Sequence, residues 1–223
     1  ISGFFTNNGA ITGTSGRLNT TTGASTNNGS IVLTWGRITL TSGSLTNNGS
    51  ISMTTGRLIQ TSGSITNGAT GTIAFSGAGT ITFATGNFIN LNSSTNVNFG
   101  TSPITISGTA VSQSIGGFTT TGTVSMTKAS GTVTFTGNVS GNNLTINGTA
   151  GTLNLGAGLT HTFTGTWTRT RGVLNGGSSV LRIGGNISGT GGTFSAGSGT
   201  VEYNRNANQT CTAITYNNLS LSG

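Results

Sequence analysis

The chain of 223 residues has no aspartate and one glutamate, Glu202. That absence removes several functions. Calcium-bound repeats need carboxylate ligands at each turn, and polysaccharide lyases and hydrolases need acid clusters for metal binding or proton transfer. His161 is the sole histidine and has no aspartate to orient it, which excludes a Ser-His-Asp site within the chain. It lies in Thr160-His-Thr-Phe163 and is expected to be a solvent-facing strand residue. A lone cysteine, Cys211, cannot close an internal disulfide and is expected as a small buried side chain in a strand, with an intermolecular bridge the minor reading. The only proline, Pro103, falls at an expected strand start, where a missing N–H is tolerated. No run reaches the ~18 apolar residues of a membrane-spanning helix. No segment carries a 3.6-residue apolar stripe, so essentially no helix is expected.

Only 4% of residues are charged, which does not fit an ordinary soluble enzyme. Ordered apolar columns and ten phenylalanines argue against low-complexity disorder. The 40 glycines mark turns with no following helix, so no phosphate-binding loop is credible. The expectation is a chain that is not an enzyme and uses neither cofactor nor metal. It starts at Ile1 without Met or a signal peptide and reads as a mature product or a fragment of something longer.

What is present is a repeat. Thr-Asn-Asn-Gly recurs at 6–9, 26–29 and 46–49, shortened to Thr-Asn-Gly at 66–68. Gly-Arg-Leu/Ile keeps the same step at 16–18, 36–38 and 56–58. A strict 20-residue period matches one rung of a structure that winds and stacks on itself. Written one under another, 3–22, 23–42 and 43–62 give core columns Ile11, Ile31, Ile51 and Leu18, Ile38, Leu58. Gly13, Leu33 and Met53 form a further column, and Phe5, Ser25, Leu45 and Ile65 a weaker one. Between them apolar residues alternate with Thr and Ser, the period-2 pattern of a strand with one buried face.

Asn-Asn-Gly and Ser-Gly are turn chemistry, since Gly and Asn occupy left-handed or bridge conformations cheaply. Asn-Gly alone favours hairpins. The exact register argues instead for a parallel solenoid, with corresponding residues stacked about 4.8 Å apart. Asn7, Asn27, Asn47 and Asn67, with Asn8, Asn28 and Asn48, then form a turn ladder bonding amide to amide. The expected fold is an all-β parallel β-helix with two or three short strands per rung. At about 20 residues per rung, there are roughly 11 rungs in a rod on the order of 50 Å long. Residues 1–70 are the regular repeats, 71–165 an irregular continuation, and 166–223 a C-terminal unit continuous with them.

The formal charge is +7, from seven Arg and one Lys. Arg17, Arg37 and Arg57 share a column, each just before an inward residue, so they should point outward. Such a stripe is tolerable on its own, or it docks an anionic partner such as a surface glycan. Arg169, Arg171 and Arg182 suggest a second basic cluster. Nucleic acid is not expected, because aromatic platforms interleaved with the basic residues are missing. Threonine columns (Thr6, Thr26, Thr46, Thr66; Thr14, Thr34, Thr54; Thr21, Thr41, Thr61) raise ice binding. That function wants paired ranks on one flat face, whereas these read as mostly single. Sequons such as Asn28-Gly-Ser and Asn143-Leu-Thr indicate glycosylation only weakly in a chain of this composition.

The C-terminal end carries Trp167, Thr193-Phe194, Gly197-Ser-Gly-Thr-Val201, Tyr203-Asn204, Gln209-Thr210 and Tyr216-Asn-Asn-Leu219-Ser-Leu. This spacing resembles a repeat of very large secreted surface proteins of Bacteroidetes-type bacteria, with Arg205 where that family usually has Gly and Cys211 where Ile is common. The resemblance implies an exported, adhesin-like or filamentous β-rich protein delivered by a dedicated outer-membrane route, and it transfers no catalytic residue.

Taken together, the expected role is an extracellular structural protein at the cell surface. Phe4 and Phe5 at one end, with Leu219 and Leu221 at the other, are expected on uncapped end rungs that stack copies head to tail. The alternative is an adhesin stalk or carbohydrate-binding module using the Arg column.

Overall fold

The computed structural model describes residues 3–223; Ile1 and Ser2 lie outside the described residues. Twenty-eight strands and one 3-10 turn, Ser94–Asn96, make up the described chain. Strand pairs across windings are parallel and in register, as in Ile11↔Ile31↔Ile51↔Ile73 and Leu18↔Ile38↔Leu58↔Ile81. The fold is a parallel β-solenoid of about eleven windings, and the stacked columns are those of the 20-residue alignment.

Each regular winding visits three faces. The first face is an 11-stranded sheet running from Ala10–Gly13 through Ser30–Leu33 and Ser50–Met53 to Thr200–Tyr203 and Asn218–Leu221. The second face stacks Arg17–Thr20, Arg37–Leu40, Arg57–Gln60 and Thr80–Phe83. The third stacks Thr6–Asn7, Ala24–Asn27, Ser44–Asn47 and Ile65–Asn67. Second and third faces join through the long strands Leu144–Asn154 and Trp167–Asn175, which pair with a register shift after Ile146.

The period stays at 20 until Ser50, stretches to 24 between Ile73 and Val97, and returns to 20 from Thr160 to Val180 to Thr200. Register survives because the extra residues go into turns and leave the inward side chains stacked. Pairing crosses residues 70 and 165 without a break, as Ile65↔Phe88 and Leu144↔Trp167 show.

Inside, the columns close into one apolar core. Aromatic rings run along its axis: Phe75, Phe99, Phe118, Phe135 and His161 follow one another at 5.7, 5.6, 6.4 and 5.2 Å between centroids. His161 is therefore fully buried, not solvent-facing as the sequence reading has it. Strict alternation explains the correction, because His161 shares its side of the strand with inward Phe163. Its Nδ1 accepts from Val139 N–H at 3.2 Å, and its Nε2 donates to Leu155 C=O at 2.8 Å.

The Thr-Asn-Asn-Gly turns contain two amide ladders. The inner ladder is buried: Asn7 donates to Asn27 at 2.7 Å, Asn27 to Asn47 at 2.7 Å, and Asn47 to Asn67 at 2.8 Å. The same amides also donate to the carbonyls of Ser30, Ser50 and Thr72. The outer ladder is exposed and runs the opposite way, Asn28 donating to Asn8 at 2.9 Å and Asn48 to Asn28 at 3.0 Å.

Left-handed backbone is not what these turns require. Among the described residues no non-glycine residue has positive φ, and neither do Gly29 and Gly49. A Cβ at Gly29 would instead fall well inside contact distance of the Gly9 carbonyl oxygen, and one at Gly49 on that of Gly29. Glycine is needed here because the winding beneath comes too close for any side chain.

The buried ladder yields a direct comparison. Asn47→Ala strands the donor of Asn27 and the acceptor of Asn67 in the interior and is expected to cost about 2–4 kcal/mol. Asn48→Ala breaks only exposed bonds and should cost about 0.5 kcal/mol or less. Thermal or urea unfolding followed by circular dichroism measures both; equal losses would refute the assignment of stability to the inner ladder.

Candidate functional site

Arg17, Arg37 and Arg57 each open a strand of the second face and pair in register, Arg17↔Arg37↔Arg57, with Thr80 next in the column. The turn leading into each strand is the corner between first and second faces. Backbone bonds from Trp35 N–H to Thr14 C=O (2.6 Å) and from Thr55 N–H to Thr34 C=O (2.8 Å) fix this corner. Together the corner and the strand starts line an open groove of about 500 Å³, with Ser15, Trp35, Thr55 and Thr80 beside the three arginines. Trp35 is 67% exposed. The absence of aromatic platforms, argued from the sequence, is thus corrected at one position. The signal was legible: aligned at 20 residues, Trp35 interrupts a corner column of Ser15 and Thr55.

Neighbouring guanidinium groups about 5 Å apart repel by about 1 kcal/mol in bulk water and about 3 kcal/mol at an effective dielectric near 20. Salt weakens the exposed case. No carboxylate faces Arg37 or Arg57. The chain's one acidic side chain, Glu202, sits on the first face, 3.0 Å from Arg182 and bonded to Ser222. Those bonds hold its carboxyl below the usual range, Ser222 contributing most. Arg37 Nε is buried and has no hydrogen-bond partner among the described residues.

The second basic cluster does not assemble. Arg182 belongs to the first face and pairs with Glu202 across one winding. Arg169 lies 5.9 Å from the Trp167 ring and donates to Gly192 C=O, and Arg171 donates to Asn147. All three side chains are engaged within the fold, and Arg182 lies on a different face from Arg169 and Arg171, which share the strand Trp167–Asn175.

At the ends, Phe4 is 72% exposed, whereas Phe5 is half-buried against the core. Leu219 and Leu221 are 46% and 69% exposed although they continue the inward column of Val201 and Tyr203. The loop before Asn218 lies over the last windings: Thr212 Oγ1 donates to Ile187 C=O at 2.7 Å, and Ile214 and Tyr216 pack on the core. Tyr216 Oη meets Tyr203 Oη at 2.8 Å. Cys211 lies in this loop, exposed and outside any strand, so the buried-strand expectation for it is also corrected. No strand pairing holds this loop, and its alternation therefore says nothing about sides.

Hydroxyl columns are more extensive than the first 66 residues suggest. Thr82, Thr105, Ser125, Thr145, Thr168 and Ser188 form one outward column on the second face. On the third face, Ser112 and Ser114 pair with Thr132 and Thr134, and these with Thr152 and Asn154. Paired hydroxyl ranks thus exist over two windings; Asn154 replaces one hydroxyl in the third, and Val173 ends the other column.

Among the described residues no group of His, Cys, Asp and Glu could hold a metal ion, and no helix is long and apolar enough to cross a membrane. Lys128 is buried, its Nζ donating to Gln113 Oε1 at 3.3 Å, and burial lowers its pKa. Comparison with protein-family models, curated proteins and solved structures finds no match.

Burial pushes the His161 imidazole down to about 4, outweighing the bond to Leu155 that raises it. The unfolded chain therefore binds a proton at higher pH than the folded one. Stability is full above pH ~6.5 and falls as pH drops toward 4, by about 3 kcal/mol in total. With no aspartate and one glutamate, little else titrates in the upper part of this window. Urea unfolding at pH 7 and pH 5 should show the loss in the wild type and not in His161→Gln; a pH-independent wild type would contradict this.

Proposed function

We propose that the chain is a structural segment of an extracellular, cell-surface filament, in which β-solenoids continue one another end to end. The observation that carries this reading is the unbroken in-register parallel stack of the first face, from Ala10–Gly13 to Asn218–Leu221. Its inward-column residues Leu219 and Leu221 are exposed in this chain. An open parallel edge with apolar side chains on its core side is a template for another parallel strand. The first strand of the same face, Ala10–Gly13, offers Ile11 and Gly13 in the corresponding columns. A second copy placed there preserves strand direction and register, and such a head-to-tail contact does not close into a ring.

Composition supports the same reading. Few like charges oppose axial packing of copies, since only 4% of residues are charged. The C-terminal resemblance to secreted bacterial surface repeats supports a location outside the cell. Its Thr-Phe and Gly-Thr-Val segments coincide with the strands Thr193–Ser195 and Thr200–Tyr203, and its final motif with Asn218–Leu221.

Sedimentation velocity and negative-stain electron microscopy of the purified chain test the proposal. Rods that lengthen with concentration are expected. Leu219→Lys with Leu221→Lys should leave single rods with unchanged circular dichroism. A wild-type chain that stays monomeric at high concentration contradicts the end-to-end reading.

A further inference from the structure

We propose that the Arg–Trp groove is a binding site for an acidic polysaccharide, a linear glycan carrying an anionic group on successive sugars. This does not depend on end-to-end assembly, since the groove lies on the side of the rod.

Three features of the groove converge on that ligand. Arg17, Arg37 and Arg57 repeat once per winding, so the cationic groups are spaced by the strand separation of about 4.8 Å along the rod axis. A straight polymer with regularly spaced anions can meet such a row in register, which a compact anion cannot. Guanidinium is the side chain suited to this, because its planar fork bonds carboxylate or sulfate oxygens in pairs.

Trp35 supplies the second element. Its ring is 67% exposed and flanked in its column by the small side chains Ser15 and Thr55. A large apolar face held in solvent beside a hydroxyl-bearing lining matches a sugar ring, which has C–H groups on one face and hydroxyls around its edge. The lining hydroxyls of Ser15, Thr55 and Thr80 complete the set with neutral hydrogen-bonding partners. Single-stranded nucleic acid fits less well, because its successive bases call for successive aromatic platforms and the groove has one.

Charge complementarity reinforces the choice. The groove holds no acidic side chain, and the protein's net charge is +7. An anionic polymer relieves the repulsion between stacked guanidinium groups, and its affinity falls with added salt.

Affinity electrophoresis and titration calorimetry with polygalacturonate, dextran sulfate, neutral dextran and poly(dT) test the site on the intact chain. Polygalacturonate or dextran sulfate should bind, the preferred one telling carboxylate from sulfate, and neutral dextran should not. Arg37→Ala and Trp35→Ala are each expected to weaken binding at least tenfold, while Arg169→Ala leaves it within twofold. Circular dichroism of each variant controls for folding, and Arg37→Lys provides a conservative comparison that keeps charge and loses the fork. Three results would overturn the proposal: no binding of either acidic glycan, equal binding by Trp35→Ala, or tighter binding of poly(dT) with no contribution from Trp35.

Discussion

Every winding of this chain must place its backbone one strand spacing above the previous one, with like residues over like. That in-register hydrogen bonding is the constraint from which the remaining features follow. Where two turns pass closest, no side chain fits, and Gly29 and Gly49 sit over the carbonyls of Gly9 and Gly29. Where a polar residue is turned inward, it must be satisfied by its own copy above and below. Asparagine does this because one amide carries both a donor and an acceptor, so Asn27 receives from Asn7 and gives to Asn47. A carboxylate stacked on itself has acceptors only and repels its neighbours. The near absence of acidic residues is thus what repeated stacking favours, and the ion pair of Arg182 with Glu202 joins unlike residues in one column.

Much of this was legible in the sequence because an exact period turns a one-dimensional string into columns. The columns of Ile31 and Ile51, of Leu18, Ile38 and Leu58, and of Leu33 and Met53 are buried as the alignment has them. Ile11, in the first winding, is only half-buried, since fewer neighbours cover it. The arginine column and both asparagine ladders were equally visible. What the alignment did not convey was which of two adjacent asparagines turns inward, or why glycine follows them. Both depend on how closely the windings approach, which is a three-dimensional quantity.

The differences have the same origin. Polarity alone puts His161 outside, whereas its alternation with Phe163 decides its side, and the axial stack of rings accommodates it as one more aromatic. Arg169, Arg171 and Arg182 were grouped by distance along the chain, which is a poor guide when 20 residues carry the backbone once around. Cys211 fell in the one long loop where neither period nor alternation applies. Trp35 interrupts its corner column in the same alignment, but treating that column as turn chemistry alone hides the exposed ring.

Stacking of the windings and surface chemistry rest on different residues of the solenoid. The core columns and ladders serve the first, and neither Arg37 nor Trp35 belongs to them. The groove is built from residues that follow corner turns, so its chemistry is free to differ from winding to winding without disturbing the stack. Thr80 already replaces arginine in the fourth position of the column.

The most direct measurement is the distance between spin labels along one outward column. The register runs Thr39, Ile59, Thr82, Thr105, Ser125, Thr145, Thr168, Ser188. In a Cys211→Ser background, cysteine-attached nitroxides at Thr39 paired with Ser125, Thr168 or Ser188 span four, six and seven windings. Stacking at about 4.8 Å per winding predicts backbone separations of about 19, 29 and 34 Å, rising linearly. Distances that fail to increase with winding number, as in an antiparallel sandwich, would contradict the account.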